Sequence, residues 1–450
     1  MIKFLISQYK KRIGLQKIAS NSAWIMFDNI FRIVGGFLIG LWVARYLGPY
    51  QYGQLNYAIF FTGMFSIIAT SAFNSIVVRE IINRPKEKQK IIGASFFIKI
   101  IGSLLAGLGI LITIPFVHQD GITKLLIAFY TLAIFFQTID VIVYWFQATL
   151  KSKYYVLAKN AAFAIVILSK LVLLLLKADL VWFGLAGAAE YLLFSAALVI
   201  VYRHDKQNIF AWKIDMKEVK TMFRESIPVL AAAVFLTVYI KLDKVLVGTM
   251  LDKTSLGYYS VGTQLSDAWI FIPAALSISF YPAIIEAKKR EKKFYHDRLQ
   301  LIYGFMTYVG ILIALPVSLL AKPIIGLLYG SQYLPAATVL AVYTWVLVPQ
   351  CVDAVVYKWL FTENLQKYLV YRTVLAAVTS VVLDLVLIPR YGIWGATIAG
   401  VLAILVATVF SNLVFREIRQ VFIMQIKAIF APIHFFKTYK KMREKEKASL

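Results

Sequence analysis

The chain has 450 residues, of which 60% are hydrophobic and only 16% are charged. A soluble globular domain carries about a quarter charged residues, so this composition excludes an ordinary water-soluble globule. The formal net charge of +25 is divided among many separate segments and not gathered on one patch, which argues against nucleic acid as a partner.

Long apolar runs follow one another along the whole sequence. Each run has at least the roughly 20 residues that a helix needs to cross a ~30 Å hydrocarbon core. They cover residues 20–43, 52–78, 91–116, 122–148, 155–176, 180–201, 226–248, 257–285, 299–320, 335–361, 366–388 and 391–415. The sequence therefore predicts an all-α polytopic membrane protein with about twelve transmembrane helices.

Basic residues alternate between the gaps that separate these runs. If the amino terminus and every second gap lie on one side, that side holds 35 of the lysines and arginines and the other side holds six. Because short basic segments stay in the cytoplasm, we expect both termini to be cytoplasmic. The segment from Ile418 to Phe436 mixes apolar and basic residues, which predicts a helix lying on the membrane surface and not a thirteenth span.

The longest central cytoplasmic gap, 202–220, divides the runs into six and six. The halves resemble each other weakly, since Tyr52-Gly53 and Leu256-Gly257 follow the first span of each half. Such a parallel repeat predicts two six-helix lobes. The expected organisation is a basic amino terminus (1–19), an N-lobe (20–201), a connecting loop (202–220), a C-lobe (221–415) and a basic amphipathic tail (416–450).

Signals for catalysis and for metal binding are missing from the sequence. There is no GxxxxGK[ST] loop for a nucleotide, and every histidine lies outside the apolar runs. We therefore expect no enzyme activity, no catalytic residue, no metal site and no cofactor. A membrane glycosyltransferase or polymerase remains an alternative, although no outer gap exceeds about 15 residues, which leaves little room for an acceptor-binding loop.

Several charged residues lie within the apolar runs. A charge at the bilayer centre costs about 2.5–3.5 kcal/mol, so each needs a partner or a water-filled cavity. Four of them are cations that cannot all face lipid: Arg32, Lys99, Lys170 and Lys241. If they converge, they form a cationic cavity suited to an anion such as a pyrophosphate. The alternative for each is a structural ion pair or a side chain that snorkels to the headgroups.

Carboxylates accompany these cations in the spans. The spacing of Asp28 and Arg32 places them on one face of a helix, where they can meet. Four acids are candidates for binding H⁺ or Na⁺ in a coupling step, or for balancing the cations: Asp28, Asp140, Asp243 and Asp267. Glu190 and Asp384 remain open between packing partners and ligands.

Short motifs extend over nearly the whole chain and resemble one family. They are Ala44-Arg45-Tyr46-Leu47-Gly48-Pro49 with Tyr52-Gly53, Lys241-Leu242-Asp243-Lys244-Val245-Leu246-Val247-Gly248, Leu256-Gly257-Tyr258-Tyr259-Ser260, and Tyr391-Gly392-Ile393 with Gly395-Ala396. Together they resemble the bacterial polysaccharide-unit flippases of the Wzx type, in the polysaccharide transport family of the multidrug/oligosaccharidyl-lipid/polysaccharide (MOP) exporter superfamily.

The resemblance implies a carrier with two six-helix, MATE-like lobes in the bacterial plasma membrane. Its implied substrate is an undecaprenyl-pyrophosphate-linked oligosaccharide for O-antigen, capsule or exopolysaccharide, moved to the outer leaflet by alternating access. The implied partners are the lipid-linked oligosaccharide and the polymerase and chain-length machinery, and we expect a monomer. The four cations would match the family's cationic cavity by depth, not by a strict motif.

A multidrug exporter of the same superfamily is the main alternative. Such a carrier moves organic cations, so carboxylates and aromatic rings should line its cavity. The buried lysines and arginines of this chain favour an anionic substrate instead.

Overall fold

The computed structural model describes residues 2–70, 74–117, 119–289 and 292–430, with side chains from residue 20 onward except at 70 and 292. Every regular element in this part of the chain is helical, which confirms the predicted all-α class. The contacts divide the chain into two compact units. Unit 1 contains Met1–Leu47 and Gln54–Thr237, and unit 2 contains Gly48–Gly53 and Val238–Leu450.

Unit 1 consists of eight helices, the last of which continues into unit 2. They are α1 (Ile2–Thr70), α2 (Asn74–Asn83), α3 (Lys88–Thr113), α4 (Gly121–Phe136), α5 (Val141–Ala148), α6 (Ser152–Leu175), α7 (Leu180–His204) and α8 (Met216–Met250). An apolar core joins α2, α3, α5 and α7 through buried side chains such as Val77, Ile91, Phe146 and Tyr202. Burial of this kind is what holds the short α2 and α5 helices, which would be marginal alone.

Unit 2 contains ten further helices. They are α9 (Lys253–Asp267), α10 (Phe271–Lys288), α11 (Lys292–Leu319), α12 (Ala321–Tyr329), α13 (Ala336–Tyr343), α14 (Leu347–Thr362), α15 (Lys367–Tyr391), α16 (Ile393–Leu405), α17 (Ser411–Val414) and α18 (Arg419–Ile429). One of its cores lies between α11 and α14, where Tyr303, Val355 and Trp359 are buried.

Ten helical segments within the described residues are long and apolar enough to cross a membrane. The first begins at Ser20 and contains two of the predicted runs, because α1 consists of two helices joined at a kink at Gly48. Another predicted run, 226–248, lies within the 35 residues of α8. Where the structure describes them, all twelve predicted runs are therefore helical, and the chain is a multi-pass membrane protein.

Short 3₁₀ turns interrupt three of the spans, which hydropathy alone does not reveal. They occupy Gln137–Asp140, Ala268–Ile270 and Thr344–Val346. After the last two, Pro273 and Pro349 stand in the first turn of α10 and α14. The first turn of a helix has no internal acceptors for its N–H groups, so a proline there costs little.

Glycines from two of the sequence motifs allow a close backbone contact within unit 2. Gly48 has a left-handed φ of 74°, which ends the regular part of α1 before Pro49. A Cβ added at Gly53 would overlap the carbonyl oxygen of Lys253, and one added at Gly257 would overlap that of Pro49. The motifs at 44–53 and 256–260 are therefore two sides of one close backbone crossing.

The predicted connecting loop is packed against α2 and α3. The Lys213 N–H donates to the carbonyl oxygen of Gln89 at 3.1 Å. Arg84 forms hydrogen bonds with both carboxylate oxygens of Glu218, at 2.6 and 2.9 Å, and these raise the pKa of its guanidinium. The Lys217 N–H, followed by the Lys90 ammonium, lowers the pKa of Asp215.

The predicted tail helix is realised in part by α18. It packs on α11, where the Gln300 side chain donates to the carbonyl oxygen of Met424 at 3.0 Å. With 11 residues α18 is too short to span a membrane. The rest of the predicted helix, 431–436, lies outside the described residues, as does the remainder of the tail.

Candidate functional site

Seven charged side chains gather in unit 1, on α1, α3, α6 and α7 and in the 3₁₀ turn that follows α4. We call them the unit 1 charge cluster: Asp28, Arg32, Lys99, Asp140, Lys159, Lys170 and Glu190. Five are residues that the sequence predicts as site residues, whereas Lys159 and Glu190 are not among them. Lys170 and Glu190 lie on α6 and α7, which a tight turn joins and which pack against each other.

Arg32 pairs with Glu190 across two helices. Its Nη2 lies 2.7 Å from the Glu190 Oε1, with side-chain exposures of 29% and 20%. The guanidinium stacks on Phe163, with its Cζ 4.5 Å from the ring centroid. That close approach depends on Gly35, where an added Cβ would lie 3.1 Å from the Phe163 ring. Arg32 is thus held by one carboxylate oxygen and one ring, and remains partly accessible.

Lys170 shares the same carboxylate. It is half-buried on α6 and interacts electrostatically with Glu190. The hydroxyl of Tyr130 packs on α7 where Gly187 leaves no side chain, one turn before Glu190. Glu190 therefore forms an ion pair with Arg32 and interacts with Lys170 only electrostatically.

Asp28 pairs with Lys159 and not with its helical neighbour Arg32. The Lys159 ammonium lies 2.8 Å from the Asp28 Oδ2, while the Asp28 Oδ1 is buried without a hydrogen-bond partner among the described residues. The Oδ1 of Asp140 is likewise buried and unpartnered there, although Lys99 and Lys159 both interact with Asp140 electrostatically. These carboxylates balance lysines of the same unit.

Lys99 is enclosed by protein. It is 1% exposed, and its ammonium lies 5.1 Å from the Tyr144 ring centroid and 3.5 Å from the Gln137 carbonyl oxygen. Burial of this depth leaves the Lys99 ammonium almost no surface for contact with a ligand.

A second charged region surrounds a cavity of about 250 Å³ within unit 2. Its polar lining comes from Tyr239, Asp243, Lys244, Asp267, Tyr343 and Gln350. The Tyr259 hydroxyl and the Lys244 N–H each donate to Asp243 at 2.7 Å. Lys241, the fourth predicted cation, is half-buried near Lys244 on α8 and so belongs to unit 2.

Asp384 completes the acidic side of this region. It is fully buried on α15, where the Ser380 hydroxyl donates to its Oδ2 at 3.1 Å and its Oδ1 has no partner among the described residues. Asp384 and Asp243 interact electrostatically. The sequence left Asp384 open between packing and ligand, and only the fold shows that it faces a second carboxylate.

Arg372 is a structural cation. It pairs with Asp353, and its Nε donates to the Ala407 carbonyl oxygen at 2.9 Å. Ala407 lies in a π-helical turn, Val406–Phe410, whose wider winding frees carbonyl groups from the regular ladder. Arg372 differs from Arg32 in being buried and in having several fixed partners, although its Nη1 has no hydrogen-bond partner among the described residues.

The structure therefore gathers three predicted cations, Arg32, Lys99 and Lys170, with two predicted acids, Asp28 and Asp140, inside unit 1. It places Lys241, Asp243 and Asp267 inside unit 2. Among the described residues, no three His, Cys, Asp or Glu side chains stand close enough to hold a metal ion.

Comparisons with solved structures give the fold class. The lipid II flippase MurJ in an inward closed conformation superposes with a TM-score of 0.67 at 16% identity, covering 94% of this chain and 93% of MurJ. An inward-facing multidrug resistance MATE transporter of the MOP superfamily gives 0.64 at 13% identity, covering 93% and 96%. The fold is therefore that of MOP-superfamily membrane transporters.

Sequence comparison gives the family. A family model described as "Polysaccharide biosynthesis protein" matches residues 18–288, which is more than half of the chain. The chain belongs to this polysaccharide biosynthesis protein family, and the family predicted from the motifs is confirmed. The probable flippase AglR of Haloferax volcanii is 25% identical over 178 residues, which cover 38% of this chain and 37% of AglR.

Proposed function

We propose that this protein is a flippase, not an enzyme, that moves a lipid-linked oligosaccharide across a membrane. The proposed substrate is an oligosaccharide on undecaprenyl pyrophosphate, carried from the cytoplasmic to the outer leaflet of a bacterial plasma membrane. Support at the level of function comes from the family itself and from relatives named as flippases, AglR and MurJ.

The observation that carries the proposal is the partly exposed Arg32, with Lys170 beside the same carboxylate. Arg32 lies near the middle of the predicted first span, and its side chain is 29% exposed. A cation exposed at that depth needs water or an anionic ligand, since lipid solvates it poorly. A pyrophosphate accepts several charge-assisted hydrogen bonds from such groups.

The proposed mechanism is alternating access. The pyrophosphate binds the cations from the cytoplasm, the two lobes rearrange, and the headgroup is released outside while the prenyl chain stays in lipid. An inside-negative membrane potential favours outward movement of an anion by about 2.3 kcal/mol per charge per 100 mV. The chain then needs no cofactor beyond this potential and a coupling ion.

The coupling ion is proposed to be H⁺ or Na⁺. Asp243 and Asp267 line the unit 2 cavity, with Asp384 in electrostatic contact with Asp243. Asp28 and Asp140 neutralise lysines in unit 1 and fit charge balancing better. We further propose that the protein works as a monomer beside polymerase and chain-length proteins, with no nucleic-acid partner.

The sidedness of the lipid-linked repeat unit tests this function. In a strain lacking the protein, an impermeant probe such as a lectin should find complete units only on the cytoplasmic side. Incomplete units would identify an enzyme that acts earlier, and an unchanged distribution would exclude a flippase.

A second candidate is an organic-cation exporter, favoured by the carboxylates and tyrosines around the unit 2 cavity. Ring faces and carboxylates are suited to cationic ligands. Purified protein that binds tetraphenylphosphonium but no prenyl pyrophosphate would support this candidate instead.

A further inference from the structure

Glu190 occupies the position that an anionic ligand of the unit 1 charge cluster would take. It accepts the Arg32 guanidinium at 2.7 Å and interacts with Lys170. Both cations are predicted to bind the substrate's pyrophosphate. The Glu190 carboxylate supplies Arg32 with the negative charge that a pyrophosphate would otherwise supply.

The geometry of the ion pair between Arg32 and Glu190 allows a ligand anion to replace the carboxylate. A guanidinium carries five N–H donors, yet the hydrogen bond of Arg32 within the described part of the chain is a single one, to Glu190 Oε1. Both side chains are partly exposed. By contrast, Arg372 is buried and bonds a carboxylate, a carbonyl oxygen and a hydroxyl. The Arg32 pair can open without leaving a buried charge.

A pyrophosphate has the chemistry to replace this carboxylate. It carries more negative charge than one glutamate and offers oxygens to two cations at once, whereas the carboxylate uses one oxygen on Arg32. When the pyrophosphate leaves, the tethered carboxylate is the nearest anion and returns without diffusing. Tethering gives it a high effective concentration at the site.

We propose that Glu190 is an internal counter-ion that competes with the substrate's pyrophosphate for Arg32 and Lys170. The pyrophosphate displaces it on binding, and its return to Arg32 promotes release. Glu190 is thus a positioning residue of the carrier, and this role rests on the proposed flippase function. It predicts that removing the carboxylate strengthens binding and slows turnover.

The test is Glu190→Gln, which keeps the shape of the side chain and removes its charge. Binding of farnesyl pyrophosphate to the purified protein should become about five- to tenfold tighter, because the ligand no longer replaces an ion pair. Flipping of lipid-linked oligosaccharide in proteoliposomes should slow while its apparent KM falls. In an Arg32→Gln background the gain in affinity should disappear, since there is no guanidinium to free.

Glu225→Gln is the matched control, because Glu225 pairs with Arg79 in the same unit outside the cluster. Its affinity and turnover should equal those of the wild type. Glu190→Asp provides a milder second variant, whose shorter side chain holds Arg32 less well and should give a smaller gain in affinity. Unchanged or weaker binding in either Glu190 variant overturns the proposal.

The wild-type protein separates this proposal from the function on which it rests. If it does not bind farnesyl pyrophosphate, the proposed function and the role of Glu190 are both wrong. If it binds and flips normally but the Glu190 variants show no gain in affinity, only the role of Glu190 is wrong.

Discussion

The two units accommodate charges inside a membrane in opposite ways. In unit 1 the cations outnumber the carboxylates, and pairs such as Arg32 with Glu190 remain partly exposed. In unit 2 the carboxylates Asp243 and Asp384 are buried beside hydroxyl donors, and Arg372 is buried with fixed partners. A partly exposed single contact is easier to exchange for a ligand than a buried contact with several fixed partners. This difference is the basis for proposing anion binding in unit 1 and ion coupling in unit 2.

The largest effect on transport is expected for Arg32→Gln. Transport should fall on the order of a hundredfold, because the main accessible donor for phosphate is lost. The amount of folded protein should stay normal, since a partly exposed ion pair contributes only about 1 kcal/mol. Complementation of a deletion strain, together with protein quantification in membranes, measures both. The control is Lys124→Gln, at an exposed position in the first turn of α4. Full complementation by Arg32→Gln would show that Arg32 does not belong to the site.

Arg372→Gln should have the reverse effect, losing folded protein before any specific transport defect. It leaves Asp353 without its partner and removes the Arg372 donor from the Ala407 carbonyl oxygen, which then keeps only the Ser411 hydroxyl as a side-chain donor. Removing one member of a buried pair costs about 3–5 kcal/mol. Thermal unfolding followed by size-exclusion chromatography in detergent measures the loss. A stable Arg372→Gln protein that fails in transport would place Arg372 with Arg32 and invalidate the contrast.

Asp243→Asn tests the assignment of coupling to unit 2. Transport should slow about tenfold and lose its dependence on the coupling ion, within the usual range of coupling between two sites. Binding of farnesyl pyrophosphate should not change, because Asp243 lies in the other unit from Arg32. Asp252→Asn serves as the control, because an Asn side chain can still accept the Ser255 N–H that Asp252 accepts at 2.7 Å and so keeps the helix cap. An Asp243→Asn protein that keeps its ion dependence would leave Asp243 a structural role only.

The fold was largely predictable from the sequence, because hydropathy reflects the free-energy cost of placing each segment in lipid. Where the structure describes them, all twelve predicted runs are helical. What hydropathy could not show is packing between distant segments. The close crossing of Gly53 and Gly257 and the docking of 205–218 on α3 depend on contacts between segments far apart in the chain.

The site was predictable only as a set of candidates. Charge at depth identified Arg32, Lys99 and Lys170, since each needs a special environment. Glu190, near the middle of α7, carries the same free-energy cost in the membrane. Charge at depth alone could not decide whether it is a ligand or a packing partner. Lys159 was missed because it was counted with the basic gap before α6, whereas it lies inside α6. Its partner Asp28 is 131 residues away in sequence, a pairing that no spacing rule gives.

Lys99 tests whether burial keeps a predicted binding cation of unit 1 from contacting the ligand, because protein encloses its side chain. Lys99→Met should weaken farnesyl pyrophosphate binding only two- to threefold and destabilise the protein by about 1 kcal/mol, since Asp140 loses a compensating charge. Asp140→Asn in the same protein should restore stability, which a double-mutant cycle of thermal unfolding measures. A loss of affinity above tenfold would show that Lys99 contacts the ligand.

The smallest effect is expected outside the spans, at Asp215. The Lys217 N–H and the Lys90 ammonium, 3.3 Å away, lower the pKa of Asp215 below its usual value of about 3.9. Because the folded pKa is the lower one, the stabilisation is fully present above about pH 4 and is lost as the pH falls through the folded pKa. Asp215→Asn should therefore lower the Tm by about 1 °C at pH 7, as expected for an exposed pair, and the difference should shrink as the pH falls below about 4. A difference that does not shrink in acid would mean that Asp215 acts through its shape and not its charge. In that case the pair of Arg32 and Glu190, in the middle of a span, would illustrate better than Asp215 an electrostatic contact that a ligand can replace.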